Sequence, residues 1–192
     1  MKIFLSVFFL LCTSLYLKAQ IKINELMASN ATTIADNAGS YSDWLELYNT
    51  TGSAIDLAGY YLTDNYANKI KFRFTTTANQ VVVPANGYLI IWASGVVSRG
   101  SKHTSFSLSA DGEELALVLP DGATIVDSLS FGPQRGDVSY GREPNGSATF
   151  KFFSPASPGA VNQTANSYSG LALSPVFSEE SGFYQNTFSL SI

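Results

Sequence analysis

The sequence predicts an all-β protein, an antiparallel β-sandwich, from two features of its pattern. Short runs in which apolar and polar residues alternate recur along the chain, and this period is typical of strands with one buried face. Gly, Pro, Asn and Asp separate these runs, as in successive antiparallel hairpins. With 13 Phe, 10 Tyr and 2 Trp among 192 residues, the chain has enough large side chains to fill a core between two sheets. We expect no helix of any length beyond the N-terminal segment.

The first 19 residues have the pattern of a secretory signal peptide. Lys2 supplies a basic start, residues 3–17 are mainly apolar, and Ala19 is a small residue where a signal peptidase would cut. The apolar run is about fifteen residues long, whereas a membrane-spanning helix needs roughly twenty. We therefore expect no membrane span and export to the extracellular space or the cell surface, with Gln20 as the first residue of the mature chain.

Export would leave a mature chain that is acidic and free of cysteine. Cys12 lies within the predicted signal, and the bulky Leu11 before it is unlike the small residue of a lipoprotein cleavage site. Removal of Lys2 and Lys18 leaves nine of the 11 basic residues against 15 acidic ones, a net charge of −6. Such a chain repels phosphate backbones, so nucleic acid is not expected as a partner.

The central stretch, residues 43–64, predicts two strands joined by a polar turn. In the first strand Leu45 and Leu47 alternate with larger or polar residues, so the leucines are expected to face the core and the residues between them the opposite side. The segment 49–53 is rich in Asn, Thr and Gly and supplies the turn. The apolar phase changes at Gly59, which predicts a bulge or bend in the second strand.

Further strands are predicted on both sides of this pair. The run at 88–92 is apolar on both faces, which is typical of a strand covered on both sides. Asp127 interrupts the apolar phase of its strand, so it is expected at a sheet rim or on an exposed face. The predicted core includes Leu45, Leu47, Ile90, Trp92, Leu115 and Leu117. The additional strands are predicted over residues 21–27, 69–75, 80–83, 88–92, 115–119, 125–131, 138–142 and 149–153.

Eight motifs follow one another along the chain: Ile23-Asn-Glu-Leu26, Asp43-Trp-Leu-Glu-Leu-Tyr-Asn49, Ile55-Asp-Leu-Ala-Gly-Tyr60, Pro84-Ala-Asn-Gly-Tyr-Leu89, Leu108-Ser-Ala-Asp-Gly-Glu-Glu-Leu115, Pro120-Asp-Gly122, Ser139-Tyr-Gly-Arg142 and Ser157-Pro-Gly-Ala-Val-Asn162. As an ordered set they resemble the lamin-tail domain family, in the form found in secreted bacterial proteins. The resemblance implies an immunoglobulin-like β-sandwich over residues 20–163 and no shared catalytic residues. Glu46 and Asn49 recur in the family pattern. On physical grounds they are a sheet-face acid and a turn former.

The composition changes near the C-terminus. Residues 164–171 are small and polar, as in a linker. Residues 172–192 resemble the opening of the small β-domain at the C-terminus of chitobiases, and they end in an alternating apolar face of Phe188, Leu190 and Ile192. Because an unpaired strand with one apolar face needs a partner strand, we expect residues 172–192 to be the incomplete start of a second β-domain.

No set of residues points to catalysis, and the sequence predicts no catalytic, cofactor-binding or metal-binding residue. His103 is the single histidine, it lies beside a polar loop, and no Gly-x-Ser-x-Gly motif accompanies it. One histidine without a mature cysteine cannot form a conventional structural zinc site. No spacing of the acidic residues favours a carboxylate pair for glycoside cleavage. We therefore interpret His103 as a loop or strand-edge residue.

The loop at 36–43 is the most serious candidate for an ion site. Asp36 and Asp43 flank Asn and Ser oxygens and a glycine, and calcium prefers oxygen ligands in flexible loops. The loop lacks the ligand spacing and the bidentate Glu of a helix–loop–helix calcium site. The alternative is a turn whose Asp and Asn side chains bond to their own backbone, and we expect this simpler structure.

Two further matches are short enough to occur by chance. Arg135-Gly-Asp137 matches an integrin-binding tripeptide. Asn-x-Ser/Thr sequons begin at Asn30, Asn49, Asn145 and Asn162. A bacterial source would leave the sequons unused, and we take neither match as a functional site.

These observations favour a non-catalytic extracellular binding or spacer module of a larger secreted or cell-surface protein. We expect a monomer whose partners are neighbouring domains of the same polypeptide and, in addition, a surface protein or glycan. Two alternatives stay open. One is a secreted hydrolase-associated domain acting on carbohydrate or phosphate substrates, with Asp36 and Asp43 as the first candidates for its site. The other is a calcium-stabilised adhesin.

Overall fold

A computed structural model of the chain describes residues 20–78, 80–172, 177–179, 182–183, 187 and 189. The predicted signal peptide with Cys12 lies outside the described residues, and so do most of residues 172–192, including Phe188, Leu190 and Ile192. Twelve strands and two single turns of 3-10 helix form the regular structure of the described part. The 3-10 turns are Val97–Arg99 and Thr164–Asn166. The strands are β1 (Ile21–Met27), β2 (Asp43–Asn49), β3 (Ile55–Asp56), β4 (Tyr61–Thr63), β5 (Phe72–Arg73), β6 (Val82–Val83), β7 (Tyr88–Ala93), β8 (Glu113–Val118), β9 (Ile125–Phe131), β10 (Ser139–Arg142), β11 (Phe150–Phe153) and β12 (Ser167–Tyr168).

The strands form a six-stranded sheet in the order β12-β11-β10-β1-β2-β7, a four-stranded sheet in the order β5-β4-β8-β9, and the small pair β3-β6. Neighbouring strands pair antiparallel throughout. One apolar cluster joins Leu45 and Leu47 of the larger sheet to Leu115 and Leu117 of the smaller one, and all four side chains are fully buried. The predicted all-β, antiparallel sandwich is therefore confirmed.

The predicted core positions on β7 were wrong by one residue. Ile90 and Trp92 are partly exposed, whereas Leu89, Ile91 and Ala93 face the core. β7 is the terminal strand of the six-stranded sheet, and its pairing of Ile91 with Leu45 places the odd positions over the sandwich interior. An edge strand that is apolar on both faces can be assigned a core face only from its register with a neighbour.

The alternation on β2 is typical of a half-buried strand, but the outer face of β2 is buried as well. Trp44 and Glu46 are both 0% exposed, although they alternate with the leucines as the sequence predicted. The C-terminal segment at 154–162 packs over this side, where the backbone N–H of Gly159 donates to Glu46. A sequence pattern shows which residues share a face, but it does not show which loop returns to cover it.

Two local features account for the remaining differences in the strands. The strand predicted over 69–75 is reduced to β5 because its partner β4 is only three residues long, and Ile70 is left 58% exposed. The bend predicted at Gly59 is present as a turn in which Tyr60 N donates to Leu57 O at 3.0 Å. Gly59 has φ +81°, a left-handed conformation that glycine adopts without strain.

The segment 164–171, which was predicted to be a linker, begins with regular structure. Residues 164–168 form the second 3-10 turn and β12, which pairs with β11. The ring of Tyr168 stacks on Phe152 at 5.9 Å between centroids, and this contact fixes the strand at the sheet edge. Although the segment is mostly polar, its single aromatic residue, Tyr168, attaches it to the edge of the sheet.

Candidate functional site

A cluster of buried polar side chains lies on the outer face of the six-stranded sheet, beneath the 154–162 segment. A β-bulge in β1, at the register shift between Ile23 and Glu25, turns Asn24 and Glu25 to the same side. Before the bulge Ile23 faces the core, and after it Leu26 does so. The bulge thus places two adjacent polar side chains away from the core, next to Glu46 on β2. The members with 5% exposure or less are Asn24, Glu25, Glu46, Ser139 and Asn162.

Glu25 and Glu46 are opposite each other in the β1–β2 register, and both bind the returning C-terminal segment. Glu25 accepts hydrogen bonds from Ser139 Oγ and from the N–H and Oγ of Ser157, the last two at 3.1 Å. Glu46 accepts from Asn24 Nδ2 at 3.0 Å and from Gly159 N at 2.6 Å. We call Glu25, Glu46 and their partners Ser157 and Gly159 the carboxylate clamp.

Burial dominates the electrostatics of the clamp. It raises the pKa of Glu25, although the hydrogen bonds from Ser139 and Ser157 oppose the change. Burial also raises the pKa of Glu46 from 4.5 to about 8, against the hydrogen bonds from Asn24 and Gly159 and with a contribution from the neighbouring charge of Glu25. Two adjacent buried carboxyl groups resist losing both protons. The clamp therefore holds at least one neutral acid at neutral pH.

A raised carboxyl pKa can mark a catalytic acid, but the geometry of the clamp favours a structural role. A general acid must reach a proton on a substrate, whereas Glu25 and Glu46 are 1% and 0% exposed and bind donors of their own chain. The clamp fastens the turn at 157–159 across the sheet. It covers the face of the larger sheet that lies opposite the core.

The motif Ser139-Tyr-Gly-Arg142 on β10 completes the cluster. Ser139 donates to Glu25, and Arg142 O accepts from Asn162 Nδ2 at 2.7 Å. A Cβ on Gly141 would lie 2.8 Å from Asn162 Nδ2, closer than real Cβ contacts allow. The glycine is thus required for the close approach of the C-terminal segment. The sequence contained the motif, but its partners 20 and more residues away could not be assigned from it.

Asp127 lies on β9, the terminal strand of the four-stranded sheet, as one of the two predicted alternatives required, but it is buried at 8% exposure and faces the other sheet. Its carboxylate accepts from Arg142 Nη2 at 2.9 Å, from Lys22 Nζ at 3.1 Å and from the backbone N–H of Ile23 at 2.8 Å. Arg142 also donates through Nε to Ile23 O at 2.9 Å. Because β9 belongs to the smaller sheet and β1 and β10 to the larger one, this ion-pair cluster joins the sheets by charge-assisted hydrogen bonds.

The loop that was considered as an ion site is organised around Asp36. The carboxylate of Asp36 accepts hydrogen bonds from other groups of the same chain. Asp36 accepts from Ala38 N and Ser40 N, both at 2.9 Å, and forms an ion pair with Arg99 Nη1 at 3.0 Å. Burial alone would raise the pKa of Asp36, but these hydrogen bonds and the arginine charge hold it below its usual value. Burial raises the pKa of Asp43, which instead accepts a long hydrogen bond from Asn30 N. The structure does not bring the two aspartates together as ligands.

Across the described ranges, no three residues among His, Cys, Asp and Glu are grouped so as to hold a metal ion. We expect the melting temperature of the protein to be the same in calcium and in a chelator, because Arg99 already neutralises Asp36. The measurement is differential scanning fluorimetry, in which a ligand at a hundred times its dissociation constant adds about 2.7 kcal/mol of stability. A calcium-dependent rise that disappears in Asp36→Asn would contradict the expectation.

His103 lies beside the edge of β7, as predicted, but it is buried at 2% exposure. Its Nδ1 lies 3.0 Å from Ser94 Oγ and its Nε2 lies 2.9 Å from Asn37 Oδ1. Burial lowers the pKa of His103 and so disfavours the charged ring. Ser94, His103 and Asn37 therefore form a hydrogen-bonded chain in the order of a nucleophile, a base and an orienting group. Sequence reasoning missed this chain because Ser94 and Asn37 belong to different loops.

Residues 16–133, more than half of the chain, match the sequence model of the Lamin Tail Domain. The chain belongs to this family. Lamin tail domains are immunoglobulin-like and generally non-catalytic modules, in agreement with the sandwich described above. No curated protein and no solved structure matches the chain. The matched range ends before β10, so the ion-pair and clamp residues on β10 and in the 154–162 segment lie beyond it.

In this lamin tail domain the tripeptide Arg135-Gly-Asp137 is part of an internal contact. Asp137 accepts hydrogen bonds from the backbone N–H groups of Ala31 and Thr32 at 2.8 and 2.9 Å, and from the hydroxyls of Thr32 and Thr33. These donors lower the pKa of Asp137 to about 2. A carboxylate that caps a loop of its own chain is not free to bind a receptor.

We expect Asp137→Ala to destabilise the domain by about 1–2 kcal/mol, the usual cost of losing a carboxylate that caps several backbone donors. Asp111→Ala is the matched control, since Asp111 is exposed and surface substitutions usually stay within about 0.5 kcal/mol. Urea titrations of both variants provide the measurement. Because the folded-state pKa of Asp137 lies below 3.8, its contribution is present above that pH and is lost as the pH falls through about 2. Equal losses in the two variants would contradict the capping role.

The side-chain amides of all four sequon asparagines are used inside the fold. Asn49 donates to Ser53 O at 2.7 Å, which confirms its prediction as a turn former. Asn30 donates to Ile34 O and Ser42 O, Asn145 to the Tyr88 hydroxyl, and Asn162 to Arg142 O. Because Asn30, Asn49 and Asn162 each donate to two acceptors, a glycan on any of these three nitrogens would replace a hydrogen bond of the folded chain. Among the described residues, no helix is long and apolar enough to cross a membrane.

Proposed function

We propose that this lamin tail domain is a non-catalytic extracellular binding or spacer module that positions a neighbouring domain of a larger secreted or cell-surface protein. The observation that carries the proposal is the use of its buried acids: Glu25 and Glu46 fasten the C-terminal segment, and Asp127 joins the two sheets. These groups stabilise a rigid body and bind donors of the same chain. Rigidity is the property that a spacer requires.

Two sequence features support the extracellular setting and the neighbouring domain. Residues 1–19 have the pattern of a bacterial secretory signal, and residues 172–192 resemble the opening of a chitobiase-type β-domain. β12 is the last strand of the six-stranded sheet in chain order and leads directly into that second segment. A domain that follows β12 would be held at one edge of the sandwich, and the module is proposed to act as a monomer.

The experiment is to express the full chain with its N-terminus intact in a secreting bacterial host. Intact mass should show a product that begins at Gln20 in the exported fraction, and light scattering should show a monomer. Glycan arrays and hydrolysis assays on polysaccharides and phosphate esters then separate binding from turnover. A folded product that retains Met1 in the cytoplasm would overturn the export proposal, and turnover would overturn the non-catalytic one.

A second candidate function, a hydrolase, is favoured by the chain Ser94, His103 and Asn37. A working serine nucleophile also needs donors that stabilise the oxyanion. Ser94 Oγ instead accepts a hydrogen bond from Val96 N at 3.2 Å and belongs to a turn. We expect a serine-directed fluorophosphonate probe to leave the protein unlabelled. Labelling that is lost in Ser94→Ala would establish the hydrolase in place of the spacer.

A further inference from the structure

A pocket of about 330 Å³ lies at the end of β7, between the loop that contains Asn37 and the loop after β7. Its walls are Asn37, Trp92, His103 and the segment 99–102. The volume is at the lower end of the roughly 300–1,000 Å³ typical of small-molecule sites, enough for one small ring. The spacer function does not use this space, whereas the hydrolase candidate would share His103 and Asn37 with it.

The pocket is held in shape by contacts from both loops. Trp92 N donates to Lys102 O at 2.8 Å, and Thr104 N donates to Trp92 O at 2.9 Å, so residues 102–104 run beside the edge of β7. This pairing places the rings of Trp92 and His103 side by side, with centroids 6.3 Å apart and planes inclined by 22°. The opposite wall is fixed by the ion pair between Arg99 and Asp36. A preformed site of this kind loses little entropy on binding.

The charge of the pocket differs from that of the chain as a whole. The chain has a formal net charge of −4, yet two cationic side chains, Arg99 and Lys102, line this pocket. Arg99 uses only Nη1 for Asp36 and Ser42, which leaves Nε and Nη2 without an acceptor among the described residues. Lys102 Nζ likewise has no acceptor in the described part of the chain. Because Asp36 offsets the charge of Arg99, Lys102 supplies the uncompensated positive charge.

The apolar side of the pocket is the indole of Trp92. Trp92 is partly exposed at a position where alternation on an edge strand turns it away from the core. A partly exposed indole offers a flat apolar surface with a polar N–H at its rim. A ligand for this pocket should therefore combine an apolar flat face with a negative group that can accept hydrogen bonds from Arg99 and Lys102.

We propose that this pocket binds an acidic sugar, a pyranose ring that carries a carboxylate, as found in uronate-containing polysaccharides. The C–H face of the ring packs on Trp92, and the carboxylate accepts hydrogen bonds from Lys102 Nζ and the free nitrogens of Arg99. This inference deepens the binding part of the proposed function and rests on its extracellular setting for access to polysaccharides. It assigns no chemical step to the pocket.

The test uses the two indole N–H signals in NMR spectra of the folded chain, because the protein has 2 Trp. Trp44 is fully buried, whereas Trp92 lines the pocket, so Trp92→Phe assigns the signals. Titration with glucuronic acid should shift the Trp92 signal and leave that of Trp44 in place. Glucose should bind more weakly because it lacks the carboxylate, and inorganic sulfate should bind more weakly because it lacks the ring.

Lys102→Gln should weaken glucuronate binding about two- to fivefold, the usual range for one partly exposed charge pair. Lys69→Gln is the matched control, since Lys69 lies outside the pocket and donates to Ala123 O. No shift with glucuronate, equal binding of glucose, equal binding of sulfate, or an unchanged Lys102→Gln affinity would each overturn the proposal. None of these four outcomes would contradict the spacer function. Hydrolysis of a uronate polymer, in contrast, would overturn the non-catalytic function but would agree with uronate binding in the pocket.

Discussion

Arg142→Met is expected to lower the free energy of unfolding by about 3–5 kcal/mol, because removal of one partner leaves a buried charge without full compensation. Asp127 is 8% exposed, and Arg142 is its only buried cationic partner among the described residues, since Lys22 is 24% exposed at its side chain. The substitution keeps most of the aliphatic stem of Arg142 and so separates the charge from the packing. It also removes the hydrogen bonds that Arg142 donates to Ile23 O and Ser147 O. Urea unfolding of the mature chain measures the loss.

Arg73→Met is the matched control for this prediction. Arg73 is exposed on β5 and lies over the ring of Tyr61 at 5.5 Å, a contact worth roughly 0.5–1 kcal/mol at a surface. The double variant Arg142→Met with Asp127→Asn should recover part of the loss, because it removes the uncompensated charge. Similar losses for Arg142→Met and Arg73→Met would show that the ion pairs between the sheets contribute little. The absence of recovery in the double variant would assign the effect to the hydrogen bonds that Arg142 donates to Ile23 O and Ser147 O.

The carboxylate clamp is expected to make the protein lose stability as the pH rises from about 5 to 9. The pKa of Glu46 is 4.5 when unperturbed and about 8 in the folded chain. The folded state therefore binds more protons than the unfolded state between these values. The contribution of Glu46 is complete below pH 4.5 and is lost as the pH rises through about 8. One pKa unit corresponds to about 1.4 kcal/mol, so the total effect is a few kcal/mol.

Glu46→Gln should flatten this dependence. The amide offers one oxygen acceptor where the carboxyl group offers two, so the variant should lose about 1–3 kcal/mol near pH 5 and less as the pH approaches 9. The slope between pH 5 and 9 should decrease without vanishing, because burial also raises the pKa of Glu25. The urea midpoints of the variant at several pH values measure this slope.

Glu143→Gln is the control for the pH dependence. Glu143 is partly exposed and accepts a hydrogen bond from Thr164 Oγ1 near the end of the sheet. The substitution Glu143→Gln is expected to leave the slope of stability against pH as it is in the unchanged protein. If Glu46→Gln kept the full slope, the carboxyl group of Glu46 would not be the one that holds the proton, and the clamp would have to be assigned differently.

The predictions that depended on local chemistry agree with the structure. The strand at 21–27 and the strand at 125–131 have the bounds that alternation indicated. Asn49 forms the turn, and Gly59 bends the chain, because both properties arise from the residue itself and its nearest neighbours. The leucines at 45, 47, 115 and 117 fill the core, since a period of two places them on one face whatever the rest of the chain does.

The candidate site depended on distant contacts, and here sequence patterns were insufficient. Trp92 was expected in the core but lines the pocket, because the register of β7 with β2 decides which face of an apolar edge strand is covered. Asp127 was expected at a sheet rim or on an exposed face, and the sequence did not indicate that Arg142 approaches it from the other sheet. Neither relation has a signature in the local sequence.

The amino-acid sequence by itself determined the all-β class, most strand positions and the turns, because alternation and turn chemistry act within a few residues. The tertiary structure alone decided the environment of each polar side chain. Glu46 has the same place in the alternation of β2 whether its face meets water or the segment at 154–162. Its burial, its raised pKa and its role in the clamp arise only when that segment, more than a hundred residues away, folds back over the sheet.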